Sequence, residues 1–311
     1  MQIDELTIKS WDDLVAASPQ SNPYARSTFL NCMTRPVHLL AFDFGKGERI
    51  GLMISQGEKA EAVGPFPYSC YQGIFFPPSN ASPLRRHNQL AEILAFVENE
   101  FTSCAISLHP TIVDIRAAQW HNYGTEKRKF QIDIRYTGII DLENGDKFGI
   151  QGLLSSSRKG DLKKSIKSGS LINRSNDVKS FISLYKETFQ RQGMVIHPKQ
   201  LLLVERIVQM HLNNNTGTLI FATVDNVPHA AALFLHDDAC AYYAFAAQSS
   251  DFRDLGGGTA VFSSYIEIAK AKGLRYIDTI GINSPSRGNF KLGFGAQPQI
   301  YFNLILNEFK R

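Results

Sequence analysis

Residues 253–259 read R-D-L-G-G-G-T, set between an apolar run, Ala241 to Ala247, and an amphipathic stretch from Thr259 to Lys272. The pattern predicts a strand, a glycine-rich turn and a helix in that order, which together make a cradle for a diphosphate. Glycines let the backbone turn with several N–H groups aimed at one point. The helix start adds its positive dipole end, worth about 0.3–1 kcal/mol per favourable charge. Arg253 stands beside the turn as a formal charge. An ordinary strand-to-helix connection could carry the same seven residues, so the surroundings decide.

Working outward, the second half reads as helix (Asp177 to Gln190), helix (Pro198 to Leu212) and a meander of three strands, Thr218 to Val224, His229 to His236 and Ala239 to Ala247. Turns are expected at Asp225-Asn226 and Asp237-Asp238. After the glycine turn come the helix to Lys272, a strand from Arg275 to Ile280, an irregular N-S-P-S-R-G segment and a last strand near Gln299 to Leu306. Antiparallel strands followed by one strand–helix–strand step predict an α/β fold with a mixed, mostly antiparallel sheet and helices on both faces.

The first half repeats the plan. His38 to Phe44 and Arg49 to Ser55 form a hairpin around G-K-G, Leu84 to Phe101 reads as a helix, and Cys104 to Leu108 as a strand. An offset of 171 residues lines up Cys104–Leu108 with Arg275–Thr279, Tyr123-Gly124 with Phe294-Gly295, and Phe130 with Tyr301. Shared elements at one offset imply a duplication, with domains expected at 1–150 and 151–311. The copies differ at the turn. Where the second half has glycines the first has G-P-F-P-Y-S-C-Y-Q-G-I-F-F-P-P-S-N, whose prolines remove N–H donors.

Charge is uneven between the halves. Residues 1–150 hold 14 Lys and Arg against 17 Asp and Glu, whereas residues 151–311 hold 19 against 12. The second half therefore faces anions. Six bases, Arg158, Lys159, Lys163, Lys164, Lys167 and Arg174, fall within 151–175 against one acid, Asp161. Lys159, Lys163 and Lys167 would line one helix face, either as a solvated stripe or in contact with a phosphorylated ligand or RNA.

Composition excludes several classes. With 43% apolar and 20% charged residues the 311-residue chain is globular, and no stretch approaches the roughly 20 apolar residues of a membrane helix. The acidic start M-Q-I-D-E-L-T-I-K-S-W-D-D does not read as a secretory signal, which implies a cytoplasmic protein. Cys32, Cys70, Cys104 and Cys240 lie far apart with no C-x-x-C pair, as expected of reduced thiols. Eight histidines include no H-E-x-x-H, and His229 and His236 lie an odd number apart in one strand, so no metal site is expected.

R-D-L-G-G-G resembles the R/Q-x-x-G-x-G/A turn by which the GNAT superfamily of N-acyltransferases holds the pyrophosphate of acyl-CoA. The ending Y-I-D-T-I-G … F-K-L-G-F-G, residues 276–281 and 290–295, resembles the branch with two tandem GNAT domains. Fem-type peptidoglycan bridge aminoacyltransferases and CelD-like acetyltransferases belong to that branch. The basic stretch S-S-R-K-G-D-L-K-K-S-I-K-S-G is similar to the helix that opens the second domain there. Fem-type enzymes use aminoacyl-tRNA, often with a blurred glycine turn. Here the turn is intact and no long helical arm is present, which favours acetyl-CoA or another acyl-CoA as donor over tRNA. The acceptor would be a small or lipid-linked amine, such as an amino sugar or polysaccharide precursor, and DNA has no role.

The resemblance implies a site. Gly256, Gly257, Gly258 and Thr259 would hold the pyrophosphate beside Arg253, and the strand through Ala246 would lend a backbone N–H to the thioester carbonyl. The superfamily's usual acid, a tyrosine before the terminal G-F, is absent, for Asn289 and Phe290 stand there. Lys291 resembles the F-K lysine that steadies the oxyanion in Fem-type enzymes. Asp278 is either a general base or a buried carboxylate bonded to a neighbouring loop, and Tyr243 is a candidate acid or a core aromatic. Arg287, Phe290, Arg158 and Lys159 are candidate contacts to substrate. The aromatic Phe66 to Phe76 loop would help to shape the acceptor cleft. A non-catalytic member that only binds its ligand is the alternative outside enzymes.

Overall fold

A computed structural model describes residues 1–55, 66–143 and 152–306. The chain forms two compact units, Met1–Tyr136 with the chain from Ile300 onward, and Thr137–Gln299. The expected boundary between 150 and 151 lies outside the described residues.

The first unit is built from β1 (Gln2–Glu5), α1 (Ile8–Ala17), α2 (Ser27–Leu30), β2 (Val37–Asp43), β3 (Arg49–Ser55), α3 (Pro83–Glu100), β4 (Cys104–Ser107), α4 (Arg116–Gln119) and the start of β5 (Phe130–Asp141). Strands β1, β2 and β3 pair antiparallel, with Leu40 opposite Leu52 and Phe42 opposite Ile50. On α3, Leu90, Ile93, Leu94 and Val97 recur every three or four residues, so one stripe faces inward. That stripe packs on Phe42, Ile50, Leu52, Ile74 and Ile106, and the core closes with Leu304 and Leu306.

The second unit comprises α5 (Ser156–Lys167), β6 (Leu171–Arg174), α6 (Val178–Arg191), α7 (Pro198–Asn213), β7 (Gly217–Val224), β8 (Val227–His236), β9 (Cys240–Gln248), α8 (Gly257–Ala271), β10 (Tyr276–Asp278), α9 (Pro285–Leu292) and the start of β11 (Gln297–Leu306). Strands β6 to β9 run antiparallel in sequence order, β10 joins β9 in parallel, and the end of β5 pairs antiparallel with β10. The mixed sheet expected from the sequence is present. Asp225 and Asn226 both adopt positive φ, the geometry that closes a two-residue hairpin between β7 and β8. Helix α8 is buried along most of its length, with Tyr265 stacked on Phe234 at 3.6 Å between ring centres.

One segment departs from expectation. N-S-P-S-R-G was expected to be irregular, yet Pro285 opens the helix α9. Proline at a first helical position loses no hydrogen bond and starts with helical φ, so it begins a helix here and does not break one.

The 171-residue offset is kept in the order of elements along the chain. It relates α3 to α8, β4 to β10 and α4 to α9, and it pairs Gly124 with Gly295, both at positive φ (73° and 82°). The last strand of each copy runs on into the other unit. Strand β5 pairs with β10 through Ile139, Ile140 and Asp141, and β11 pairs with β4 through Asn303 to Leu306.

Candidate active site

The site forms where β9 gives way to α8. Pairing of β10 with β9 ends at Asp278 opposite Tyr242, whereas β9 continues to Gln248. Just past that point the β8–β9 register shifts: Leu233 faces Phe245 and Phe234 faces Tyr243, so Ala244 is an extra residue. A bulge of this kind bends its strand and raises the local twist, carrying the second half of β9 away from β10.

The chain then turns through Ser249 to Gly256. Glu187 on α6 fastens this turn, accepting hydrogen bonds from the Ser249 hydroxyl at 2.7 Å and from the Ser250 amide at 2.7 Å. Gln248 donates to the Arg253 carbonyl at 3.1 Å. Gly256 sits at φ 74°, a left-handed conformation, and α8 begins directly behind it with no side-chain cap. A helix start without a cap leaves its first N–H groups for a ligand.

Two of the three glycines are sterically required, and the third leaves room. At Gly256 a side-chain carbon would drive into the main-chain carbonyl of Asp161, because α5 crosses directly over the turn. At Gly257 it would drive into the buried imidazole of His229. At Gly258 the nearest side chains, Gln248 and Phe290, are 3.9 Å away, so this is the glycine that faces open space.

That space is a cavity of about 800 Å³ within the second unit. Its cations are Arg158, Lys164, Arg191, Arg253 and Arg287, against the carboxylates of Asp161 and Asp254. Arg158 is fixed from several sides: it pairs with Asp161 at 3.0 Å, donates to the Thr259 hydroxyl at 3.1 Å and lies 4.8 Å over the Phe290 ring. Thr259 in turn donates to Asp161 at 3.1 Å. The start of α5 is thereby tied to the first turn of α8. Lys159, Lys163 and Lys167 lie on the exposed side of α5, so the basic run divides between a cavity wall and a solvated stripe.

Of the residues singled out from sequence, Arg253, Gly256, Gly258, Thr259, Arg287, Phe290 and Arg158 come together around this cavity. Lys291, Asp278, Tyr243, Gly257, Ala246 and Lys159 are not part of its wall. Ala246 lies on β9 beyond the bulge, opposite Ala232. Asp278 is 2% exposed, accepts a hydrogen bond from the Thr137 hydroxyl and accepts the Ile280 N–H at 2.7 Å. Of its two readings, the geometry is that of the buried carboxylate bonded to a neighbouring turn. Lys291 donates to the carbonyls of Ile280 and, at 3.0 Å, Gly281, with its ammonium 5.8 Å from the centre of the Tyr243 ring. Both charged groups thus hold the turn after β10, where Ile280 carries a positive φ of 55° that a β-branched residue rarely adopts. Tyr243 packs on Phe234 and Phe262, and burial raises its hydroxyl pKa.

Sequence reasoning missed Arg191, Gln192 and Gln248, which reach the cavity from the ends of α6 and β9. No local motif marks them. Among the described residues no three His, Cys, Asp or Glu side chains converge as metal ligands. Also among them, no helix is long and apolar enough to cross a membrane.

The fold has known relatives. Residues 157–291 of the chain match the family described as an acetyltransferase (GNAT) domain. Its fold along the whole length is that of FemX, with 12% identity, a TM-score of 0.68 and 97% of each chain covered. A tandem GNAT protein from the clavulanic acid biosynthesis pathway shares 11% identity at a TM-score of 0.58, covering 99% of this chain and 98% of that one. The C-terminal domain of a putative lysylphosphatidylglycerol synthetase from Agrobacterium fabrum shares 10% identity at 0.59, covering 96% and 91%. No curated protein matches the chain. Residues 157–291 thus form a GNAT-type domain, and the chain as a whole has the fold of FemX and of the tandem GNAT protein.

Proposed function

We propose that the protein moves an acyl group from acyl-CoA to the amine of a cell-envelope or polysaccharide precursor in the cytoplasm. The observation that carries this reading is the uncapped start of α8 at Gly256 to Thr259, opening on a cavity with five cations. Coenzyme A carries a diphosphate and a 3′-phosphate, and an uncapped helix start beside arginines suits both. Gly258 gives the diphosphate room to approach, while Arg253, Arg158 and Arg191 supply charge around it.

Beyond Tyr242 the edge of β9 that faces β10 is released from pairing, which suits it to receive the pantetheine arm and to aim an N–H at the thioester carbonyl. Such a donor to a developing oxyanion is worth roughly 2.7–4 kcal/mol in comparable acyl transfers. The amine nitrogen attacks the carbonyl carbon, the C–N bond forms, the C–S bond breaks, and the thiolate takes a proton. Burial raises the Tyr243 pKa, which makes its hydroxyl a weaker acid, and Tyr243 lies outside the cavity wall, so the thiolate takes the proton that the attacking amine releases, by way of solvent. Asp278 and Lys291 act as positioning residues through the Ile280 turn. The acceptor class rests on the fold shared with FemX and the lysylphosphatidylglycerol synthetase domain, and Arg287 and Phe290 would meet the acceptor.

Thermal stabilisation by acetyl-CoA tests the donor. A ligand at 100 times its dissociation constant adds about 2.7 kcal/mol, and Gly258→Glu, which fills open space, should abolish the shift. Product masses from pooled amino sugars and lipid-linked precursors then identify the acceptor. Failure of every CoA ester to stabilise the protein, together with retention of aminoacyl-tRNA, would replace this reading with the tRNA-dependent one.

A further inference from the structure

The first unit has a cavity of its own, about 250 Å³, at the same place in the repeat. Gln20, Pro77 and His87 of its wall stand 171 residues before Arg191, Gln248 and Gly258 of the donor cavity. The glycine turn has no counterpart there. Arg85, Arg86 and His87 occupy the repeat positions of Gly256, Gly257 and Gly258, Pro83 brings no N–H, and Ser82 takes the Arg85 amide. The amides that would grip a diphosphate are closed.

What replaces them is a fixed cation. Arg86 donates through Nη2 to the Pro77 carbonyl at 2.9 Å and to the Ser79 hydroxyl at 2.8 Å, and its guanidinium lies 4.6 Å over the Phe76 ring. Its other amino group, Nη1, is buried with no hydrogen-bond partner among the described residues, and so is Nδ1 of His87. The nearby carboxylates are occupied: Glu48 is held by Arg85 at 2.7 Å and Gln89 at 2.6 Å, and Asp114 by Arg116 at 2.7 Å. Phe76, Leu90, Ile112 and Val113 make the rest of the wall apolar.

We infer that this cavity binds a small monocarboxylate with a short apolar stem, its carboxylate on Arg86 and His87. A buried, unpaired donor group is costly to leave unmet, and a carboxylate is the small anion that a guanidinium and one imidazole nitrogen satisfy. A diphosphate would find neither free amides nor enough volume. The inference does not depend on the donor reading, because it concerns other residues in another unit.

Titration of the full chain with hexanoate and with hexan-1-ol, followed by ligand-observed NMR, tests it. Hexanoate should bind at least about tenfold more tightly than the alcohol, and Arg86→Met should remove that preference. Trp120, whose ring lies 4.8 Å from His87, supplies a local readout, since hexanoate should change its fluorescence and Trp120→Phe should abolish the change. Equal binding of acid and alcohol by the unaltered protein, or no binding of either, overturns the inference whether or not the variant folds. Hexanoate binding that Arg86→Met leaves unchanged, or that CoA competes away, overturns it as well.

Discussion

Gly256 and Gly258 are two residues apart and answer to different forces. A methyl group at Gly256 meets the Asp161 carbonyl and a left-handed backbone at once, so Gly256→Ala should cost on the order of 1–3 kcal/mol and lower the melting temperature by several degrees. Gly258→Ala has room in the first turn of a helix and should leave stability unchanged or raise it by up to about 1 kcal/mol. Thermal melts of the two variants check both outcomes, and equal losses would mean that α5 does not cross the turn as described. Lys291 too acts through a few close contacts. Without its bonds to the Ile280 and Gly281 carbonyls the turn at φ 55° loses its outside support, so Lys291→Ala should cut turnover about tenfold or more while CoA affinity holds. Steady-state kinetics beside a CoA titration separate the two quantities. Loss of both together would place the ammonium at the donor.

At the scale of elements, α7 carries a pH dependence. His211, near its end, is 1% exposed, shares a hydrogen bond of 2.8 Å with Thr216, and has its pKa lowered to about 4, chiefly by burial and then by the charge of His236. In the unfolded chain a histidine titrates near 6.5. Above that value neither state is protonated and the full stability is present. Between about 6.5 and 4 the unfolded chain binds a proton that the folded one refuses, so stability falls as pH falls, by about 1.4 kcal/mol per unit. Urea melts at pH 7 and pH 5 should differ by about 2 kcal/mol from this residue, and His211→Gln should remove that share. An unchanged pH dependence in the variant would mean that the imidazole is not neutral in the fold.

Elements are also where the sequence was most legible. Helices α3, α6, α7 and α8 follow apolar spacings of three and four, and the β7–β8 hairpin follows from Asp225-Asn226, since both are set by residues close in the chain. Strand β5 and helix α9 escaped for opposite reasons. Polar and apolar residues are mixed along F-Q-I-D-I-R-Y, and Pro285 with Gly288 reads as a loop until Pro285 is seen to occupy a first turn.

For the whole molecule, the exchanged strands bear on where the chain can be cut. Residues 151–311 alone would lack the β5 segment that pairs with β10, leaving the strand beside the site with an open edge. That fragment should be insoluble or aggregate, and a chain that begins before β5 should behave better, as soluble yield and gel filtration will report. A well-behaved fragment from 151 would show β5 to be dispensable.

Local order was already written in the residues: the strand–turn–helix at 241–272, the repeat at an offset of 171 and the excess of bases in the second half. Each of these depends on near neighbours, on a spacing or on a sum of charges. Folding alone assigned the roles of the charged side chains. Arg158 and Lys159 are adjacent in sequence, yet one is held between Asp161, Thr259 and Phe290 while the other points to water. Lys291 and Asp278, which a motif would make catalytic, are spent on one strained turn. A side chain's charge is a property of its residue, but the partner that claims it is set by packing between elements far apart along the chain.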